Sequence, residues 1–414
     1  MGRFKILAGV ALALALLFLI FKGGANDVVP QAGPDALTKA KEDSVNKAGV
    51  QRYHLGQERL KAALSIYFDK AITSGDIVGA GVSIVLGDSI LISAGYGKRN
   101  SSEKAKVNGE TVFRLGSLSK GFAGVLAADL KAEGKLKWED KITDYIPEFQ
   151  LGDSENTAKI KISHILSHSS GTPYHSFTNL VEAGLPMADI AKRFHEVNPQ
   201  NEPGLQYSYQ NAMFALAQEI FLKTAGADVK MVLQNRFFTP LGMTTVSMDH
   251  ETLVQGVNVA VPHGKGGAGW RNLPLKDRYY NAVIAGGIDA SALDMAKWMR
   301  FLLGHNQEVM KKEAIAESFQ PVIALRDNNK YYQRWSGHLK SAYGFGWRIH
   351  TFEDVDTKED VTIWHHGGSV NNYRNEIAIY PKADLGICVL LNSNSSLAST
   401  VIPDLYALVK RSYN

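Results

Sequence analysis

Ser117 and Lys120 stand three residues apart in Phe113-Arg114-Leu115-Gly116-Ser117-Leu118-Ser119-Lys120-Gly121, a segment that reads as the start of a helix. Side chains at i and i+3 of a helix are surface neighbours, roughly 5 to 6 Å apart at Cβ, so the amine can reach the hydroxyl. A serine becomes a useful nucleophile only when a neighbouring base takes its proton. A lysine is that base only when burial or another cation holds its pKa well below the reference of about 10.4. The pair therefore predicts acyl transfer together with a desolvated lysine.

Spacing alone does not single it out, because Ser-x-x-Lys also occurs at Ser44 to Lys47 and at Ser101 to Lys104. Those two lie in charged, polar stretches where lysine keeps its solvated charge. The third follows the strand-like Thr111-Val112-Phe113-Arg114, turns at Gly116 and enters the apolar run Phe122 to Leu130. A strand, a glycine turn and a helix start place Ser117 near a positive helix end and leave Lys120 partly desolvated.

Three other segments carry groups that a serine acyl transfer needs. Tyr209 and Asn211 lie two apart ahead of an expected helix from Ala212 to Thr224, so both can face one cleft. A phenol beside a lysine cation is expected to have a lowered pKa and to shuttle a proton, while Asn211 offers an amide to a substrate carbonyl or to Lys120. The plainer reading is a packed tyrosine beside a helix-capping asparagine. Trp364-His365-His366-Gly367-Gly368-Ser369 ends a strand with two glycines, which let a backbone or ligand approach and leave N–H groups free to stabilise an oxyanion. His366 is then a proton carrier or hydrogen-bond donor, or simply a satisfied histidine at a bulge, and His365 points to the other face as a structural residue. His164 and His168 have the i, i+4 spacing of a helical zinc site, but Ile165 stands where the catalytic version needs glutamate. A hydrogen-bonded helix end and turn is the better reading, so no metal and no cofactor is expected.

The elements that must hold these groups alternate in character along the chain. Residues 52 to 73 show helical spacing and end before Gly75; Ala80 to Leu86 and Ile90 to Tyr96 form a hairpin around Gly87-Asp88. From about 122 to 280 the pattern is mostly helical, broken by glycine and proline turns. Strands return at Phe345 to Ile349, Val361 to His365, Arg374 to Tyr380 and Gly386 to Leu391, before a last helix near Leu397 to Ser412. The reading is an α+β fold: a sheet lobe of residues 51–121 and 281–414, and an inserted helical lobe of residues 122–280. A cleft between two such lobes is a common place for a site.

The chain has 414 residues and ordinary apolar and charged content for a globular protein. Its net charge is +4, of which Arg3, Lys5 and Lys22 supply three, so the remainder is nearly neutral. Without a basic run or an aromatic-basic stripe, nucleic acid is not a partner. The single cysteine, Cys388, excludes an internal disulfide and sits in an apolar strand as a structural residue. Ile6 to Phe21 is an uninterrupted apolar run between Lys5 and Lys22, with Gly23-Gly24-Ala25 behind it. Residues 1–25 thus read as an uncleaved membrane anchor, which the length favours, or as a signal cut near Ala25. Either way the remainder is exported to the periplasmic side of a bacterial inner membrane. Residues 26–50 read as a spacer to the domain of residues 51–414.

Taken in order, Ser117-Leu118-Ser119-Lys120, Tyr209-Gln210-Asn211 and His366-Gly367-Gly368 resemble the three motifs of the β-lactamase and penicillin-binding serine hydrolase superfamily, in its class C β-lactamase, DD-carboxypeptidase and esterase branch. Phe113 to Gly116, Leu166 to Gly171, Thr239 to Met243, Ala285-Gly286-Gly287 and Tyr343 to Trp347 are similar to supporting segments, and the likeness covers about residues 55 to 410. The resemblance implies an antiparallel sheet flanked by terminal helices, and an acyl-enzyme on Ser117. Lys120 and Tyr209 would relay the proton, and the backbone N–H groups of Ser117 and Ser369 would form the oxyanion hole. Asn211 and Gly368 would contact substrate and His366 would assist. Where class C enzymes have Lys-Thr-Gly this chain has His366-Gly367-Gly368, and Gln210 replaces the usual serine or alanine. Both changes point away from efficient penicillin hydrolysis and toward small esters, D-amino-acid amides and peptides. A true β-lactamase and a noncatalytic membrane-associated binding protein are the alternatives. An α/β-hydrolase is not one, because no Gly-x-Ser-x-Gly occurs.

Overall fold

The computed structural model describes residues 34–267, 269–326, 329–354 and 357–413. The expected anchor or signal, residues 1–25, lies outside them, as do residues 26–33 of the spacer. Among the described residues no helix is long and apolar enough to cross a membrane. Helix α1 spans Pro34–Thr73, so residues 34–50 of the expected spacer are helical. Their alanines, lysines and glutamate favour a helix, and Pro34 occupies the first position, where a missing N–H is tolerated. The chain divides after His54 into two units, and the second, Leu55–Asn414, holds every candidate site residue.

Within this second unit α1 buries Leu60, Leu64, Phe68 and Ala71, one stripe at helical spacing. The expected hairpin follows as β1 (Gly79–Leu86) and β2 (Ser89–Gly97), with Gly87 at φ 56°. Strand β3 (Val112–Arg114) leads through a single 3-10 turn, Gly116–Leu118, into α2 (Ser119–Ala132). Short helices then dominate, including α3 (Asn211–Ala215), but the hairpin β4 (His263–Gly266) and β5 (Gly269–Asn272) interrupts a stretch expected to be helical. After β6 (Asp289–Ser291) and α4 (Ala292–Leu302) come β7 (Ile323–Ala324), β8 (His338–Tyr343), β9 (Arg348–Glu353), β10 (Asp360–Val370), β11 (Tyr373–Tyr380) and β12 (Leu385–Leu391). Helix α5 (Val401–Tyr413) closes the chain.

Eight strands form one antiparallel sheet in the order β2-β1-β12-β11-β10-β9-β8-β7. Strands β1 and β12 are buried along nearly their whole length, which is why they read as continuous apolar runs and not as alternating ones. Helix α4 packs on β1, β2 and β12, and α5 packs on β11 and β12. Helix α1 joins this covering layer: Phe68 stacks on Tyr96, and the Tyr67 hydroxyl donates to Asp404 at 2.7 Å. One apolar cluster runs from the sheet through Phe122 of α2 and Trp298 of α4 to Phe214 of α3. The fold is α+β, as expected.

One expected strand is misplaced. Only the last two residues of Phe345 to Ile349 are strand: β8 ends at Tyr343, Gly346 turns at φ 77°, and β9 runs on from Arg348 to Glu353. The apolar residues of this turn are buried against α2, which gives them a strand-like composition without a ladder. Gly121 and Gly124 make room for it, since a Cβ on Gly124 would stand 1.8 Å from the Phe345 carbonyl oxygen. A Cβ on Gly346 would likewise lie 2.1 Å from the Lys120 carbonyl oxygen, so the turn grips the backbone of the candidate base.

Candidate active site

Ser117 sits in the 3-10 turn between β3 and α2, and its position is fixed from three sides. Arg114, fully buried in β3, pairs with Asp289 at 3.2 Å and donates to the carbonyl oxygens of Lys276 (2.8 Å) and Arg278 (2.7 Å). Burial pushes Asp289 up to about 6, against the pull of Arg114. The Leu115 N–H donates to the Ile288 carbonyl at 2.9 Å, and Ser119 Oγ accepts from the Ile288 N–H at 3.2 Å. From the third side β10 closes in: a Cβ on Gly368 would stand 2.2 Å from the Leu115 carbonyl oxygen, and one on Gly116 would lie 2.9 Å from Ser369 backbone atoms. Gly116 adopts φ 57°, so glycine is required there twice over.

Lys120 is fully buried one helical turn beyond Ser117. Its Nζ donates to Asn211 Oδ1 at 2.8 Å and to the Ala285 carbonyl at 2.7 Å, and stands 3.4 Å from Ser117 Oγ. Burial holds its pKa well below the ordinary lysine range, and the nearby Arg348 charge lowers it further. A neutral amine has two N–H bonds and one lone pair. Two oxygens take two N–H bonds and Ser117 Oγ occupies the third position, to which Nζ donates when protonated and from which its lone pair can take the proton when neutral. Asn211 is set in turn by its Nδ2, which donates to the Tyr279 hydroxyl at 3.1 Å.

Tyr209 completes the group, its hydroxyl donating to Ser117 Oγ at 2.8 Å while Lys120 Nζ lies 4.9 Å from its ring centre. The expected lowering of its pKa is not found. Burial pushes the phenol up to about 12, and the Ser117 hydrogen bond offsets only part of that. The depressed pKa of Lys120 weakens the positive charge that would stabilise a phenolate, so the effect of burial prevails at Tyr209. Its ring is held by His168, a left-handed residue (φ 58°) at a ring separation of 4.2 Å, whose Nδ1 accepts from the Gln210 N–H at 3.1 Å. His164 Nδ1 accepts from the Lys161 N–H at 3.2 Å. Both histidines thus serve a helix end and a turn.

His366 lies near this group but is not a free proton carrier. It is buried, with Nδ1 2.7 Å from the Gly367 carbonyl and Nε2 2.9 Å from the Tyr343 hydroxyl. Only an N–H can face a carbonyl, so Nδ1 carries the proton and Nε2 accepts from Tyr343. Burial, then Arg348 and Lys120, hold its pKa well below the usual histidine range. Gly368 acts as a spacer that lets β10 reach the nucleophile turn. Pairing of β10 with β9 ends at His365 and Arg348, so the edge from His366 to Ser369 has no strand on that side and faces the Ser117 turn.

Arg348 was not singled out in the sequence. Its guanidinium lies 4.9 Å from the Tyr332 ring centre, and its Nε and Nη1 are buried without a hydrogen-bond partner. A cavity of about 540 Å³ opens beside Tyr209, walled by Tyr174, Tyr207 and Tyr332 with Arg326 and Lys330 at its side and no acidic residue among the described residues of its lining. The Gly-Trp-Arg sequence at the start of β9 gave only apolar content, and nothing in it said the arginine would lack a partner.

A family model described as Beta-lactamase matches residues 64–409. The chain belongs to the β-lactamase family. Among curated relatives, Protein flp of Staphylococcus aureus (strain MRSA252) is 23% identical over 340 residues, covering 81% of this chain and 63% of the relative. Unguisins hydrolase ungD' of Aspergillus campestris (strain IBT 28561) is 25% identical over 340 residues, covering 78% and 59%. The chain thus spans less than two thirds of the length of these relatives. The solved octameric penicillin-binding protein homologue from Pyrococcus abyssi superposes with a TM-score of 0.70 at 22% identity, over 84% of this chain and 77% of that one. That likeness supports the β-lactamase-like fold, and family membership supports a serine hydrolase in general terms.

Proposed function

We propose that this chain is an exported serine hydrolase that forms an acyl-enzyme on Ser117 from small esters, D-amino-acid amides or peptides, or related acyl compounds. The observation that carries the proposal is the fully buried Lys120 amine, held on Asn211 Oδ1 and the Ala285 carbonyl with Ser117 Oγ as its third partner at 3.4 Å. Export is supported by the apolar run Ile6 to Phe21 and its basic flank.

In the proposed sequence Lys120 takes the hydroxyl proton as Ser117 Oγ bonds to the carbonyl carbon. The oxygen that becomes negative is met by the backbone N–H groups of Ser117 and Ser369, the second on the open edge of β10. Tyr209 gives its proton to the departing nitrogen or oxygen as that bond breaks and regains one from Lys120. Water then enters by the reverse path and frees the acid. A phenol with a pKa near 12 suits a strongly basic leaving group.

Gly367 supports the preference over a true β-lactamase. A Cβ there would stand 2.6 Å from the Tyr331 hydroxyl and 2.9 Å from Glu376 Oε1, so a threonine would have to displace these side-chain ends behind the strand. Arg348, a cation with buried unpartnered nitrogens, favours acyl substrates that carry an anionic group. A noncatalytic role is disfavoured by a site in which both Lys120 and Tyr209 reach Ser117. The test is a rate comparison on p-nitrophenyl esters, D-alanyl peptides and penicillins. The esters or peptides should show the higher kcat/KM, and penicillins far ahead of both would overturn the substrate preference.

A further inference from the structure

Strand residues alternate faces, so His365 and Gly367 look away from the Ser117 turn that Gly368 touches. On that far face lies an unbroken file of buried polar groups that acyl transfer at Ser117 does not use. His338 Nε2 lies 2.7 Å from Ser341 Oγ, and Ser341 Oγ lies 2.7 Å from His350 Nδ1. His350 Nε2 lies 3.1 Å from His365 Nδ1, and His365 Nε2 lies 2.8 Å from Glu376 Oε2. Four links join β8, β9, β10 and β11. Only the outer end, His338, is partly exposed; Ser341, His350, His365 and Glu376 are buried. Tyr332 and Trp335 sheath the two inner rings at 4.9 to 6.2 Å.

The donor rules give this file two self-consistent states. With Glu376 ionised, His365 must present Nε2–H to it, so His365 Nδ1 accepts from His350 Nε2–H. His350 Nδ1 then accepts from the Ser341 hydroxyl, which accepts from His338 Nε2–H. Every hydrogen points toward Glu376. If a proton arrives on His338 Nδ1, His338 can pass its Nε2 proton to Ser341, Ser341 its own to His350, His350 to His365, and His365 to Glu376. One proton has entered, one carboxylate has been neutralised, each histidine has exchanged one N–H for the other, and all bonds now point outward.

We propose that His338, Ser341, His350, His365 and Glu376 form a proton relay that couples the charge behind the β10 edge to the acidity outside. Glu376 sits at the right place for such coupling. It accepts from the Tyr331 hydroxyl at 2.8 Å and pairs with Arg374 at 2.9 Å, and Arg374 is the register partner of Ser369. The other groups facing the file are Arg348 from β9, Tyr331 and Tyr332 from the segment before β8, and the buried Cys388 thiol of β12. Neutralising Glu376 leaves Arg374 and Arg348 without its counter-charge. Burial pushes Glu376 up to about 7, and burial holds His350 and His365 far below the usual histidine range. The relay therefore moves a proton without leaving a charged histidine in the interior.

The test is nitrogen NMR of the full chain with labelled histidine, followed across pH, and it does not depend on any substrate. His350 and His365 should exchange tautomers at one shared midpoint near 7, neither becoming doubly protonated. Glu376→Gln should abolish the exchange, and Ser341→Ala should leave His338 titrating alone. Fixed tautomers across the range, two separate midpoints, or an exchange that survives Glu376→Gln would overturn the relay. If either variant fails to fold, the titration of the unaltered chain decides by itself.

Discussion

The Tyr209 hydroxyl reaches Ser117 Oγ at 2.8 Å across 92 residues of sequence, and it does so as a donor. That direction assigns the protons at the site. Burial favours the protonated phenol, so in the proposed mechanism Lys120 is the base that receives the Ser117 proton and Tyr209 the acid that serves the leaving group.

Tyr209→Phe should therefore lower turnover by about 10²- to 10⁴-fold, the usual contribution of a positioned acid or base. The loss should be larger for amides than for p-nitrophenyl esters, whose leaving group needs no proton. Thermal unfolding should barely move, because the ring packing against His168 is kept. Equal losses on both substrate types would contradict the assignment.

The depressed pKa of Lys120 fixes the sign of the pH dependence. Below that pKa the amine is charged and cannot act as base, so acylation should fall as pH drops through it and be full at a pH well below the ordinary lysine range. Between the depressed value and the ordinary lysine range the unfolded chain binds the extra proton, so stability should rise with pH across that window. Lys120→Arg keeps a permanent charge and should lose about 10²- to 10⁴-fold in acylation rate. An acylation rate that rises only in the ordinary lysine range would show that Lys120 is not desolvated.

Gly368→Ala should push β10 away from the nucleophile turn, since its Cβ would meet the Leu115 carbonyl oxygen at 2.2 Å and Leu118 Cδ1 at 2.7 Å. A destabilisation of about 1 to 3 kcal/mol is expected from such overpacking, measured by denaturant unfolding. Acylation should fall in parallel, because the Ser369 N–H moves with the strand. Unchanged stability would mean that the strand and turn are not in contact.

Arg348→Gln should raise KM for substrates with a carboxylate by roughly 10- to 150-fold, the worth of about 1.5 to 3 kcal/mol for a hydrogen bond to a charged group. Neutral esters should be little affected. A uniform loss on charged and neutral substrates would point to a purely structural arginine.

Much of this site is legible in the sequence. The strand, glycine turn and apolar helix around Ser117 are local signals, and local signals survive folding. The hairpin β1–β2 and strand β12 are equally plain, because their apolar runs have strand length and turn residues beside them. Long-range events are not legible. The sequence does not say that both ring nitrogens of His366 are occupied, by Gly367 and Tyr343, or that Nε and Nη1 of Arg348 are buried without a hydrogen-bond partner. The pKa of Tyr209 departs from the sequence expectation because burial of the phenol outweighs its neighbours, and burial also lowers the pKa of Lys120. Phe345 to Trp347 looks like part of a strand because a buried turn shares a strand's apolar composition, and the contact of Gly346 with Lys120 decides between them.

The central claim is that Ser117 carries the acyl group. Rapid quenching of the full chain with a p-nitrophenyl ester or a D-amino-acid amide, followed by peptide mass spectrometry, tests it. A mass increase equal to the acyl group should appear on the peptide containing Ser117, accumulate further in Tyr209→Phe and be absent in Ser117→Ala. Hydrolysis that proceeds without that adduct, or that persists in Ser117→Ala, would contradict it.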